Sequence, residues 1–254
     1  MTTVRYLIFP ALFLAFAVET SAQQSRFDSA NEMLNERLYS DAIVLYKSIA
    51  DDGYESGALW LNIGIAYSQI DSLGMAKYYL LKAKSHKETA ALADDALIYV
   101  NERFSRRSAV LPPLPWTRFF NNLSDTFGVT TIAVTAIILF YLAIALLIGS
   151  WFRVDFKKPL RIAFYSFISG ALMLFLFSWI IHYQDSRFDR AVMIDRQATV
   201  FQHPREDAAV ITTAFEGYLL QIDNRQSESE TDWHYIRLEN GMNGWIRNSG
   251  IKVL

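Results

Sequence analysis

The chain has 254 residues, 52% of them hydrophobic, with no cysteine, six tryptophans and a formal net charge of -2. One domain per ~150 residues makes this a two-domain length. The missing cysteine excludes disulfide scaffolds, thiolate zinc sites and cysteine nucleophiles.

The near-neutral charge is a sum over unlike blocks. Residues 23–110 carry ten Lys/Arg against twelve Asp/Glu, residues 184–254 eight against eleven, and residues 111–183 five against two. Two mildly acidic polar blocks flank an apolar, locally basic one. Neither polar block offers the basic face that a nucleic-acid binder needs, so nucleic acid is not an expected partner.

In chain order, residues 1–22 read as a signal peptide: Arg5, an apolar run from Tyr6 to Val18, then Thr20-Ser21-Ala22 as the cut site. The alternative, an uncleaved anchor, meets the difficulty that a span needs ~20 apolar residues. Residues 23–108 show helical apolar spacing with self-similarity at a shift of 34 residues, which pairs Ala30 with Gly64, Met33 with Tyr67, Ala42 with Ala76 and Tyr46 with Leu80. Ser40-Asp41 and Asp71-Ser72 stand where polar caps of the second helices are expected. A further helix, residues 89–104, is expected to close the array as a cap, with Asp94-Asp95 outward.

Residues 109–128 form a linker and interfacial segment, stiffened by Leu111-Pro-Pro-Leu-Pro115 and carrying Trp116, Phe119, Phe120 and Leu123. Residues 129–151 and 162–183 are uncharged and long enough to span ~30 Å of hydrocarbon. Ala145-x-x-x-Gly149 and Ser166-x-x-x-Gly170 are small-residue stripes that would let the two spans pack closely. The loop between them, residues 152–161, holds Arg153, Lys157, Lys158 and Arg161, which the positive-inside rule places in the cytoplasm. An exported N-terminal block and an even number of spans then put both polar blocks on the outer side.

Residues 188–254 change period from helix to strand. The runs 191–194, 209–211, 218–222, 234–238 and 244–246 are the expected strands, with Asn240-Gly241 as a hairpin turn. Trp233 and Trp245 read as core residues, the alternative being a ligand platform.

Residues 57–90, with Trp60, Ile63-Gly64 and Tyr67 on one helix and Ala76, Leu80 and Ala83 on the next, resemble a tetratricopeptide repeat. The first copy has Arg26 in place of the tryptophan, and Glu88 stands where the family usually has proline. The resemblance implies a concave surface from the first helix of each repeat: Phe27, Asn31, Leu34 and Asn35, then Leu61, Ile65, Ser68 and Gln69. This groove is the candidate binding site for a partner's peptide or helix, the alternative being a mere spacer. The strand block, above all Trp233, Asn240-Gly241 and Gly244-Trp245-Ile246, resembles the bacterial SH3-type barrel.

The four histidines, His86, His182, His203 and His234, never stand at ligand spacing, and no phosphate loop or nucleophile elbow appears in the sequence. Catalysis, a metal and a cofactor are therefore not expected. The expected fold is a multidomain membrane protein: α-helical tetratricopeptide repeats, a two-helix transmembrane hairpin and a small all-β SH3-like barrel.

That order resembles the BatE-type proteins of the Bacteroides aerotolerance operon. The resemblance implies a bacterial inner-membrane scaffold, with both folded blocks periplasmic, working in stress tolerance with von Willebrand A-type membrane proteins and a MoxR-class AAA+ ATPase. The alternative is a cell-wall-binding sensor that recruits or regulates a peptidoglycan hydrolase.

Overall fold

A computed structural model describes residues 23–106, 110–112, 127–152, 156–227 and 232–254. The expected signal peptide and most of the linker lie outside the described residues.

The polar N-terminal block is helical: α1 (residues 23–35), α2 (Tyr39–Asp51), α3 (Gly57–Gln69), α4 (Leu73–Lys84) and α5 (Ala90–Arg103). A shift of 34 residues carries the start and end of α1 onto those of α3, and the start of α2 onto that of α4. The connections agree as well, since Arg37 and Asp71 are equivalent and both are left-handed, at φ 64° and 61°. The expected small residues sit where the helices cross: Ala42, Ala76 and Ala83 are fully buried. At Gly64 an added Cβ would lie 2.7 Å from Leu80 Cγ, so the α3–α4 crossing closes on hydrogen alone.

The polar caps are not where the sequence suggests. The N-cap position of α2 is Leu38, and Ser72, at the N-cap of α4, makes no side-chain cap bond. Asp71 instead pairs with Arg103 of α5 at 2.8 Å. The closing helix α5 has a mixed outer face, because Asp94 turns to Lys84 at 2.6 Å while Leu92, Ile98 and Tyr99 are exposed.

Two long apolar helices follow, α6 (Val129–Phe152) and α7 (Lys157–Arg187), each with a stretch long and apolar enough to cross a membrane. Their mutual seam matches the expected stripes only at Gly170, where an added Cβ would lie 3.9 Å from Leu139 Cδ1. Ala136, Ala143 and Ser150 of α6 are buried at intervals of seven, as are Ala171 and Ser178 of α7, whereas Ala145 and Ser166 are exposed and a Cβ on Gly149 would meet nothing. A seven-residue interval keeps a small residue on one face of both helices through several turns, which is the spacing of a left-handed pair.

The C-terminal block is one antiparallel sheet: β1 (Phe188–Met193), β2 (Gln197–Phe201), β3 (Val210–Phe215), β4 (Leu219–Asp223), β5 (Trp233–Leu238), β6 (Asn243–Arg247) and β7 (Ile251–Val253), with a one-turn helix α8 (Asn224–Ser227) after β4. The order is β3-β2-β6-β5-β4-β1-β7, so β3 and β7 are edges and the sheet is not the closed barrel expected. The β2–β6 junction rests on a single registered pair, Phe201 with Trp245, so the strands share one core without completing a ring of hydrogen bonds. That core draws on all seven strands: Ala191, Met193, Val200, Ala214, Leu220, Ile222, Ile236, Leu238, Ile246 and Ile251. Gly241 takes the positive φ of the β5–β6 turn, at 85°, and Asn240 does not share it. Its side chain instead accepts the Met242 amide at 3.0 Å.

The helical block and the sheet, residues up to Ala109 and from Arg190 onward, form one compact unit, and Val110–Asp189 form the other.

Candidate functional site

The groove predicted on the first helices is only partly open. Phe27, Asn31, Leu34 and Ile65 are half-buried, Leu61 and Ser68 are buried, and Asn35 and Gln69 are exposed. Asn31 is engaged inside the block: its Oδ1 accepts from the Tyr46 hydroxyl at 2.7 Å and from Asn62 Nδ2 at 2.8 Å. Burial raises the Tyr46 hydroxyl's pKa, which keeps it protonated as the donor, while the Asn62 hydrogen bond opposes the shift. At the other end Arg103 reaches across from α5 and donates to the Ser68 carbonyl at 2.7 Å. The positions left to greet a partner are therefore Asn35 and Gln69, with Phe27, Leu34 and Ile65 as half-buried apolar neighbours.

Arg26, 34 residues before Trp60 and at the equivalent place in the first helix pair, builds a polar cluster there. Its guanidinium donates to Asp52, to Ser48 Oγ at 2.7 Å and to Gln23 Oε1 at 3.1 Å. In the second copy Trp60 keeps the aromatic solution: it stacks on Tyr79 at 5.7 Å, Tyr79 stacks on Tyr67 at 5.5 Å, and Lys82 Nζ lies 3.6 Å above the indole.

A second surface comes from the sheet. On β5 the core takes Ile236 and Leu238, so Trp233, Tyr235 and Arg237 lie on the opposite face. Register places Trp233 opposite Arg247, Tyr235 opposite Trp245, and Phe201 opposite Trp245. Trp233, 7% exposed, is buried as the core reading expects, whereas Trp245 is half-buried, and both stand outside the cluster around Ile236. They belong to an aromatic row on the other face, with Phe201 against Trp233 at 5.7 Å and Tyr235 against Trp245 at 5.4 Å. Arg247 flanks it, 5.3 Å over Trp233 and paired with Glu206 at 2.7 Å. Beside the row is a shallow depression of about 400 Å³ lined by Asp195, Thr199, Phe201, Glu206, Arg247 and Ser249. Sequence reasoning missed this face because it placed no strand at residues 197–201, and without β2 the sidedness of Phe201 is not readable.

A third locus was not visible in the sequence at all: the contact between the helical block and the sheet. The second amide of α4, on Gly74, donates to Glu216 Oε1 at 2.6 Å, so a carboxylate 142 residues away caps the helix that Ser72 leaves uncapped. Gly74 is needed there, since a Cβ would lie 2.9 Å from the Met193 carbonyl and from Ile194 Cα. One turn on, Lys77 Nζ donates to the Gly217 carbonyl at 2.6 Å and stands 5.6 Å from the Phe104 ring centre. The ring of Phe104 packs onto Gly217, whose φ of 80° and missing Cβ admit it. Arg106 lies 4.4 Å over Phe215. Burial lowers the Lys77 ammonium's pKa and raises that of the Glu239 carboxyl, and the attraction between the two charges opposes both shifts. The Leu219 backbone hydrogen bond also opposes the shift at Glu239.

Among the described residues no cluster of His, Asp or Glu could hold a metal ion. No protein-family model matches the chain, and comparison with curated proteins finds no match.

Proposed function

We propose that the protein is a membrane-anchored scaffold of the bacterial envelope, with the repeat block and the sheet on the same, periplasmic side, binding other proteins and catalysing nothing. The observation that carries this reading is the contact just described. Two polar blocks separated in sequence by two membrane-length helices touch through Glu216, Lys77 and Phe104, a contact that supports placing both on one side of a bilayer. The exposed Lys157, Lys158 and Arg161 at the start of α7 support a cytoplasmic turn between the spans.

The 34-residue helix pairs support a tetratricopeptide array, and a seven-stranded sheet around one core supports an open relative of the SH3-type fold. The whole arrangement fits a BatE-type protein acting with von Willebrand A-type partners and a MoxR-class ATPase. Photo-crosslinking residues at Asn35 and Gln69, in native membranes, test it. Discrete adducts with von Willebrand A-type proteins are expected, and the absence of any protein adduct from either position sinks the reading.

The aromatic row favours a second reading, in which the sheet holds cell wall and the repeats recruit a hydrolase. Half-buried Phe201, Tyr235 and Trp245 lie beside Arg247 and Glu206, a setting suited to sugar rings with charged substituents. Retention on sedimented peptidoglycan that is lost with Trp245→Ala would favour it over the scaffold.

A further inference from the structure

We propose that α5 is the first helix of a third, unfinished repeat, and that its uncovered face docks an amphipathic helix of another protein, basic along its rim and small at its centre. This face is separate from the groove at Asn35 and Gln69, whichever partner that groove takes.

The 34-residue shift that relates α1 to α3 carries α3, Gly57–Gln69, onto residues 91–103, which is α5 to within one residue. In the first two copies the chain covers this first helix with a second helix of its own. Ala30 is buried where Phe27 and Asn31 meet Tyr46 of α2, and Gly64 lies under Leu80 of α4. For α5 the covering helix would be residues 107–118, and there stand Pro112, Pro113 and Pro115, which break a helical ladder. Among the described residues nothing takes its place. Ile98, the equivalent of Gly64, is 59% exposed, and Ala91 and Asp95, equivalent to the buried Gly57 and Leu61, are exposed as well. The end helix of a repeat array ordinarily turns a polar face outward, yet α5 also exposes Leu92 and Tyr99.

The two complete copies show that a helix is what lies on this face, and charge fixes the chemistry of the one that α5 takes. Asp95 and Glu102 stand where α3 has Leu61 and Ser68, and among the described residues neither carboxylate has an ion-pair partner. On α3 the covering helix sets Lys82 Nζ 3.6 Å over Trp60. The equivalent of Trp60 on α5 is Asp94, so a cation arriving there meets a carboxylate. A helix with Lys or Arg at these places is drawn to the face. A second copy is not, because two α5 helices laid antiparallel across Ile98 bring Asp95 of each toward Glu102 of the other. Shape adds a second requirement. Leu80 enters at Gly64, where even a Cβ would lie 2.7 Å from Leu80 Cγ. On α5 the large side chain is Ile98 itself, so the incoming helix needs a small residue opposite it.

The probe is α4, the helix that covers the equivalent face of α3, since it carries Lys77, Lys82 and Lys84 and no acid. A fluorescent peptide copying Leu73–Lys84 is titrated onto the full-length protein in phosphatidylcholine nanodiscs and followed by anisotropy. A side-chain bridge on its outer face holds it helical, because a helix this short is marginal in water. The Leu80→Ala form of the peptide should bind the native chain about tenfold more tightly than the unaltered form. Ile98→Gly in the protein should reverse that order. Ile98→Lys, a helix-compatible change at an exposed position, should bind neither form.

The same preference on all three chains places the binding elsewhere and overturns the proposal, as does a native chain that binds neither peptide. Self-association of the native chain that Ile98→Lys abolishes also overturns it, by giving the face to a second copy.

Discussion

Arg26 and Trp60 occupy equivalent places in two copies of one helix pair and solve the same packing problem with different chemistry. The tryptophan stacks, and the arginine recruits Asp52, Ser48 and Gln23. The Arg26 hydrogen bond holds the Asp52 carboxyl below the usual carboxylate range. A depressed folded-state value contributes stability above the unfolded value of ~3.9 and loses it as pH falls through the folded one. Asp52→Asn should therefore lower the melting temperature of the repeat block at neutral pH, with the gap closing in strong acid. A gap that persists in acid, followed by circular dichroism, would assign the effect to packing instead.

Asn31 carries a related lesson, because its oxygen serves Tyr46 and Asn62. Tyr46→Phe removes the donor to Asn31 Oδ1 and an acceptor of Asn62 Nδ2, and should cost about 1–3 kcal/mol in denaturant unfolding, the usual net value of two hydrogen bonds. Asn31→Ala disturbs the same network, so Asn35→Ala, at an exposed position, is the cleaner probe of partner capture.

Among the elements, those set by local periodicity were legible in the chain. The 34-residue shift located α1 to α4, and uncharged length located α6 and α7. What stayed hidden depends on distant partners. Asp71-Ser72 looks like a cap because cap residues are recognised locally, yet the acceptor at α4 is Glu216. Residues 197–201 and 251–253 are short and only weakly apolar, and they become strands by pairing with β3 and β1. Of the groove, the first-helix positions were readable, but not that Leu61 and Ser68 are buried.

The pair of long apolar helices shows the same limit, since Ala145 and Gly149 satisfy a motif that the packing does not use. Ala143→Leu should destabilise the pair by about 1–3 kcal/mol, because the added atoms enter a filled seam. Ala145→Leu, at an exposed position, should change little. Thermal unfolding in detergent distinguishes the two, and equal effects would refute the seam.

At the scale of the molecule, the sheet completes the helical block as well as following it. Gly217→Ala places a side chain at φ 80°, costing about 1–2 kcal/mol in backbone strain. It also drives a methyl group into the ring of Phe104. Calorimetry of the native chain should show the repeats and the sheet melting together, and the variant should split them into two transitions. A single transition in both would mean that the blocks are joined by more than this turn.

The chain between Phe104 and Gly217 is thus a loop closed by a noncovalent contact. Closing it is an intramolecular event, governed by an effective concentration that reaches the millimolar range for short tethers and falls slowly with length. A contact of merely millimolar strength then stays shut much of the time in the intact chain. The same two surfaces, mixed as separate proteins at micromolar concentration, should scarcely associate.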